Sequence, residues 1–224
     1  FMTLLASFKI LLQRYCNQDD IVVGTDVANR NQAEIEQLIG FFVNLLVLRT
    51  DLSGNPTFLE LLQRVRTKTL GAYAHQDIPF DELVRELQPE RDLNNTIPLF
   101  QVLFVLQNTP DSALELPGLS LNLLEVEDRN ARFDLALFIT ETDQGIEGKW
   151  QYNADLFAQD TITKFTSHWQ TLINSIITQP QSRISTLDMF TEAEKAKQNV
   201  QQQERKAAKR QKFLNIVPKA VSLS

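Results

Sequence analysis

Phe1, Leu4, Leu5, Phe8, Leu11, Leu12 and Tyr15 recur at three- and four-residue spacing. That periodicity predicts a helix with one apolar face and with Lys9 and Arg14 off it. Polar residues 17–20 end this helix, and Ile21, Val22 and Val23 follow as a short β-branched strand closed by Gly24 and Thr25. Residues 33–38 read as helix, with Asn31 as its N-cap and Glu34 at the capping-box position. Then comes the run around which the pattern is organised, Ile39, Gly40, Phe41, Phe42, Val43 and Asn44, continued by Leu45, Leu46, Val47 and Leu48. It predicts a tight turn at Gly40, through positive φ or close approach by a neighbour, and then a buried strand.

Beyond a polar turn at 51–56, Phe58, Leu61, Leu62 and Val65 set the face of a helix running to about Tyr73. Pro79 disfavours helix at Ile78, so a break falls there. Phe80, Leu83, Val84 and Leu87 then define a second helix. Residues 88–98 connect to 99–106, a nearly all-apolar stretch that predicts a central strand buried on both faces. Alternation at Leu119, Leu121 and Leu123, at Phe133, Leu135, Leu137 and Ile139, and at Ile146, Gly148, Trp150 and Tyr152 predicts three strands. The last two join as a hairpin over 142–145. Asp160 caps a long helix to Thr178, with Ile162, Phe165, Trp169, Leu172, Ile173 and Ile176 inward and His168 beside that face as a surface residue. From Thr191 the apolar spacing stops, and Glu, Lys, Gln and Ala predict a solvated helix or linker to Lys212.

Composition narrows the class. The chain has 224 residues, 43% hydrophobic and 22% charged, which describes a globular protein of one large or two small domains. No apolar run reaches membrane-spanning length. A soluble, cytoplasmic chain is expected, and its opening in mid-pattern at Phe1 suggests a piece of something longer. The single cysteine, Cys16, excludes an internal disulfide and a Cys-rich metal site. The net charge of −6 is uneven: eight Lys/Arg against three Glu put 191–224 at +5 and the rest at −11. An acidic body argues against nucleic acid as partner. The basic tail reads as a solvated linker rather than an RNA or membrane contact.

Candidate chemistry is sparse. The sequence has no Gly-rich phosphate loop, no spaced metal-ligand set and no nucleophile elbow. Three polar residues stand out. Asn44 is an amide among apolar neighbours; it is either satisfied by nearby backbone or shapes the floor of a cleft. Arg30 sits just before a helix start, where a cation gains nothing, so it either answers a carboxylate elsewhere or lies in solvent. His75, one of two histidines, stands at a helix end and reads as a capped or satisfied residue rather than a base. Pattern alone gives a mixed α/β domain with a mostly antiparallel sheet, and no substrate.

Four stretches together add more. They are Val23-Gly24-Thr25 with Ala28-Asn29-Arg30; Ile39 to Asn44 with Leu48-Arg49; His75-Gln76-Asp77-Ile78-Pro79-Phe80 with Leu83-Val84; and Arg91-Asp92 with Pro98-Leu99-Phe100-Gln101-Val102. In this order and approximate spacing they resemble the C-terminal half of a condensation domain of non-ribosomal peptide synthetases. The resemblance covers 1–190 and leaves 191–224 as a basic linker towards a further domain.

The resemblance implies a chloramphenicol acetyltransferase-like lobe, an α/β fold with helices flanking a mixed, mostly antiparallel sheet. Two such lobes form a V around a tunnel. There, peptidyl carrier proteins present acyl or peptidyl and aminoacyl thioesters on 4'-phosphopantetheine arms, and the amine attacks the thioester. The signature HHxxxDG belongs to the N-terminal lobe. Neither His75 nor His168 has its context here, so no catalytic residue is expected in this chain. Arg30 resembles the Arg that pairs with the signature Asp, Asn44 the Asn near the tunnel floor, and Gly40 and His75 lie in motifs read as structural. Leu45 departs from the family's usual Thr, and Asn94-Asn95-Thr96-Ile97 replaces a shorter Ser-containing segment. The expected partners are the N-terminal lobe, carrier proteins and neighbouring synthetase domains. The alternatives are a non-catalytic scaffold or docking lobe and an epimerisation-subtype lobe.

Overall fold

A computed structural model describes residues 1–30, 33–36, 38–89, 97–107, 131–197, 200 and 203–206. The elements in chain order are α1 (Met2–Cys16), β1 (Asp20–Val27), α2 (Ala33–Glu36), β2 (Asn44–Asp51), α3 (Phe58–Tyr73), α4 (Phe80–Leu87), β3 (Val102–Gln107), β4 (Leu135–Thr142), β5 (Gly145–Tyr152) and α5 (Gln159–Thr178). The five strands form one sheet in the order β2-β1-β3-β4-β5. Eight residue pairs join each antiparallel couple, β1 to β2 and β4 to β5. Between them β3 runs parallel to both neighbours, paired to β4 over six residues and to β1 at Gly24↔Leu103 alone. The sheet is therefore mixed, and its ladder is mostly antiparallel by residue pairs.

α1, α3 and α5 cover one face of the sheet. Leu5, Phe8 and Leu11 of α1, Leu61 and Val65 of α3, and Phe165, Trp169 and Leu172 of α5 bury against Val23, Leu48, Phe104, Leu135 and Leu137. Aromatic rings form the centre, with Phe8 stacked on Phe104 at 5.3 Å and edge-on to Trp169 at 6.2 Å. Burying each such side chain stabilises the fold by about 1.5–3 kcal/mol. Ser7 locks α1 to α5, because its Oγ donates to Leu4 O at 2.8 Å and accepts the indole N–H of Trp169 at 2.9 Å. α1 ends at Asn17 in the left-handed conformation (φ 54°), whose N–H donates to Gln13 O.

The opposite face holds a smaller cluster: Phe100, Leu103, Val105 and Ala136, with Phe80 of α4 and Phe133 packed on it. Gly24 makes this cluster possible. A Cβ there would lie 2.0 Å from Phe100 Cε2, so the ring fits only over a residue without a side chain.

Several expectations change. Lys9 is not off the apolar face of α1; it is fully buried, and its Nζ donates to Ile21 O at 3.1 Å and Leu48 O at 2.5 Å. Burial pushes its pKa down to about 7 against a smaller upward pull from Asp20. The organising run is not a buried strand throughout. Ile39, Phe41 and Val43 are exposed, β2 begins only at Asn44, and β2 is an edge strand with one face buried. α2 is a four-residue turn of helix, shorter than expected. β3 starts at Val102, because Leu99 takes φ 74° and turns the chain out of extended geometry. Ala158, not Asp160, is the N-cap of α5. The expected strand at Leu119, Leu121 and Leu123, and the Asn31 cap, fall outside the described residues.

Candidate functional site at the carboxyl end of β1

β1 and β2 form an antiparallel pair in which Val27 lies opposite Asn44. Both strands therefore meet at one end of the sheet, and the polar candidates gather there. Asn44 is half-buried and fully engaged. Its Nδ2 donates to Gln76 O at 2.8 Å and Ile78 O at 2.7 Å, and its Oδ1 accepts the Phe80 N–H at 3.1 Å. Pro79, the N-cap of α4, has no side chain to accept that N–H, so Asn44 supplies the cap from a different element. The backbone-satisfied reading of Asn44 is the one realised, with the backbone coming from 32 to 36 residues away.

Arg30 does not point at a described carboxylate. Its Nη1 donates to Ile35 O at 2.7 Å, Glu36 O at 3.1 Å and Leu38 O at 2.7 Å, and its Nη2 to Gly40 O at 3.3 Å. Its guanidinium also sits 4.3 Å from the centre of the Phe42 ring. The cation thus reaches past the start of α2 to the carbonyls at its end, where positive charge is favourable. Gly40 belongs to the same arrangement. Its φ is not positive, but a Cβ would lie 2.9 Å from Phe42 Cε2 and disturb the ring beside Arg30. The close-approach explanation holds and the positive-φ one does not.

Arg30, Val43 and Gln76 line a cavity of about 590 Å³, with Phe1, Tyr73 and Leu106 among its apolar walls. Asp26 and Asn29 line it too. Burial pushes the Asp26 carboxyl and the Tyr73 phenol upward. His75 is exposed and joins the turn next to this cavity through its backbone, donating to Ala72 O and accepting from Ile78 N. The cavity walls combine apolar surface with amide, carboxyl and guanidinium groups. Among the described residues no group of His, Cys, Asp and Glu is placed to hold a metal ion, and no helix is long and apolar enough to cross a membrane.

A second polar cluster, missed in the sequence, joins α1, α5 and the start of the tail. His168 is buried rather than on the surface, with Nδ1 2.7 Å from Tyr15 Oη and Nε2 3.0 Å from both Glu194 carboxylate oxygens. A readable signal was Thr191 followed three residues later by Glu194, a capping-box spacing.

The fold is one chloramphenicol acetyltransferase-like lobe, with five strands among the described residues flanked by helices and its polar site at a sheet end. The family model for the condensation domain matches residues 1–199, and the chain belongs to the condensation-domain family of non-ribosomal peptide synthetases. It is 47% identical over 196 residues to a linear gramicidin synthase of Brevibacillus parabrevis, covering 87% of this chain and 4% of that protein. It is 44% identical over 195 residues to malpinin synthetase of Mortierella alpina, covering 87% of this chain and 2% of that one. Among solved structures, the X-domain in complex with OxyB from teicoplanin biosynthesis matches with a TM-score of 0.75 at 31% identity, over 85% of this chain and 42% of that one. The four-domain synthetase AB3403 matches in fold with a TM-score of 0.79 at 23% identity, over 87% of this chain and 16% of that one.

Proposed function

We propose that this chain is the C-terminal lobe of a peptide-bond-forming condensation domain. In this reading it forms one wall of a tunnel in which an aminoacyl amine attacks a carrier-bound acyl or peptidyl thioester. The observation that carries it is that Arg30 and Gln76 line one cavity, with Asn44 holding the Gln76 carbonyl from behind, beside a surface with Ile39 and Phe41 almost fully exposed. Exposed apolar side chains in that number mark a surface made to be covered, and an N-terminal lobe is the partner that would cover it. The match to 42% of a solved X-domain chain supports a half-fold that needs its other half.

Within that reading Asn44, Gly40 and Arg30 position the tunnel wall, and His75 belongs to the turn that Asn44 holds. The proton-handling His comes from the other lobe. Arg30 organises the 35–40 carbonyls, and a carboxylate from the N-terminal lobe would add to that set rather than replace it. The substrates arrive on 4'-phosphopantetheine arms of carrier proteins, so the chain itself holds no cofactor. The body over 1–190 and the basic stretch over 191–224 lead on towards a neighbouring synthetase domain.

The test is reconstitution. The chain alone, given both loaded carriers, forms no peptide bond above background, and co-expression with a matching N-terminal lobe restores product. Turnover by the chain alone, or no turnover by a stable two-lobe complex carrying an intact HHxxxDG, would refute the reading. A docking lobe is the second reading, favoured by the likeness to an X-domain solved in complex with OxyB. Stable two-lobe complexes that bind a partner protein but turn over no thioester would support it.

A further inference from the structure

We infer that residues 191–197 form a strap clasped to α1 and α5 by Glu194 on His168, which fixes the point at which the chain leaves the lobe. The strap has little apolar content, so polar contacts hold it. Thr191 donates its N–H and its hydroxyl to Glu194 Oε2 at 2.9 and 2.8 Å, and the Glu194 N–H returns to Thr191 Oγ1 at 3.3 Å. This box pre-shapes a helical turn over 192–197 and aims the carboxylate at His168. The Glu194 carboxylate can only accept, so it takes the Nε2 proton of His168, while Nδ1 lies within hydrogen-bond distance of the Tyr15 hydroxyl.

The surroundings are built for one orientation. Phe190 lies edge-on to the imidazole at 5.2 Å, and Tyr15 edge-on to Phe165 at 4.3 Å. Lys195 pairs with Asp188 at 3.1 Å and Glu192 at 2.9 Å. Upstream, Arg14 Nη2 donates to Ile184 O at 2.6 Å and Leu187 O at 3.2 Å, tying the approach to α1. The Thr191 and His168 hydrogen bonds hold the Glu194 carboxyl down at about 2. A buried histidine whose two nitrogens are both spoken for, one of them by a carboxylate on the tail, is a fastening point rather than a core residue. The family match through residue 199 includes the strap.

Hydrogen–deuterium exchange on the full chain tests this without any assay of turnover. In wild type the amides of Glu194 and Lys195, which donate to Thr191 O, are expected to exchange slowly. Glu194→Gln keeps the shape and removes the charge, and it is expected to speed exchange over 191–197 by about tenfold while β3 and β4 stay protected. His168→Gln is expected to act on the same amides, and the double variant to add little to either single one. If His168→Gln does not fold, Thr191→Ala takes its place in the cycle. Unchanged exchange in Glu194→Gln, or fully additive effects in the cycle, overturns the strap.

Discussion

Asn44 on β2 accepts the backbone N–H of Phe80, the first residue of α4, at 3.1 Å. One amide side chain thus connects the sheet edge, the Pro79 break and the start of a helix. Its other end holds the carbonyls of Gln76 and Ile78. Asn44→Leu should lower stability by about 1–3 kcal/mol, because three backbone groups lose their partner. Asn44→Asp should fall between, keeping the acceptor for Phe80 but facing two carbonyls with a carboxylate. Urea midpoints at constant m-value measure this, and an unshifted midpoint for Asn44→Leu counts against the capping role.

Arg30→Lys should not rescue Arg30→Ala. The guanidinium fork spans carbonyls from Ile35 to Gly40 and lies over Phe42, and an ammonium has neither the reach nor the plane. Both variants should speed proteolysis within 33–42 and, in a two-lobe domain, lower turnover to a similar degree. Full activity and wild-type cleavage in the Lys variant would show that charge alone suffices.

Lys9 should make stability rise with pH. Its ordinary pKa of 10.5 applies when unfolded and about 7 when folded. Between those values the unfolded chain binds more protons than the fold, so unfolding free energy increases with pH and levels off above the upper one. The slope from this group is at most about 1.4 kcal/mol per pH unit. Lys9→Met should remove that component, seen as a flatter difference between denaturation at pH 7 and pH 9. An identical pH slope in wild type and variant would place the Lys9 pKa elsewhere.

Gly24→Ala should destabilise by about 1–3 kcal/mol through overpacking against Phe100. Phe100→Leu in the same background should recover part of the loss, since the added methyl then meets a smaller neighbour. Thermal melts of the single and double variants decide it, and simple additivity would exclude the clash as the cause.

Much of the architecture was readable. Periodicity placed α1, α3, α5, the β4–β5 hairpin and the apolar β3 because each has one decisive spacing. What periodicity could not give was which polar residues are drawn inside. Lys9 lies four residues after Leu5 and three before Leu12, within the apolar face by position, yet its charge argued it outward. His168 sits one residue before Trp169 and is buried only because Tyr15 and Glu194 come from remote segments. Arg30 was legible as a residue needing a partner; that the partners are carbonyls of α2 and the following loop depends on a fold-back no local pattern encodes. The exposure of Ile39 and Phe41 was hidden for the opposite reason, since an apolar run reads as buried whether or not the fold covers it.

The parallel middle strand has a consequence for assembly. The antiparallel couples on either side of β3 each close between neighbouring segments and can zip early, whereas β3 must be threaded between two finished ribbons, one of them formed from a distant part of the sequence. This topology predicts that its insertion is the slow, committing event of folding. Until it happens the nascent polypeptide carries open sheet margins, so chaperone demand during synthesis should peak before β3 docks and decline once it is in place.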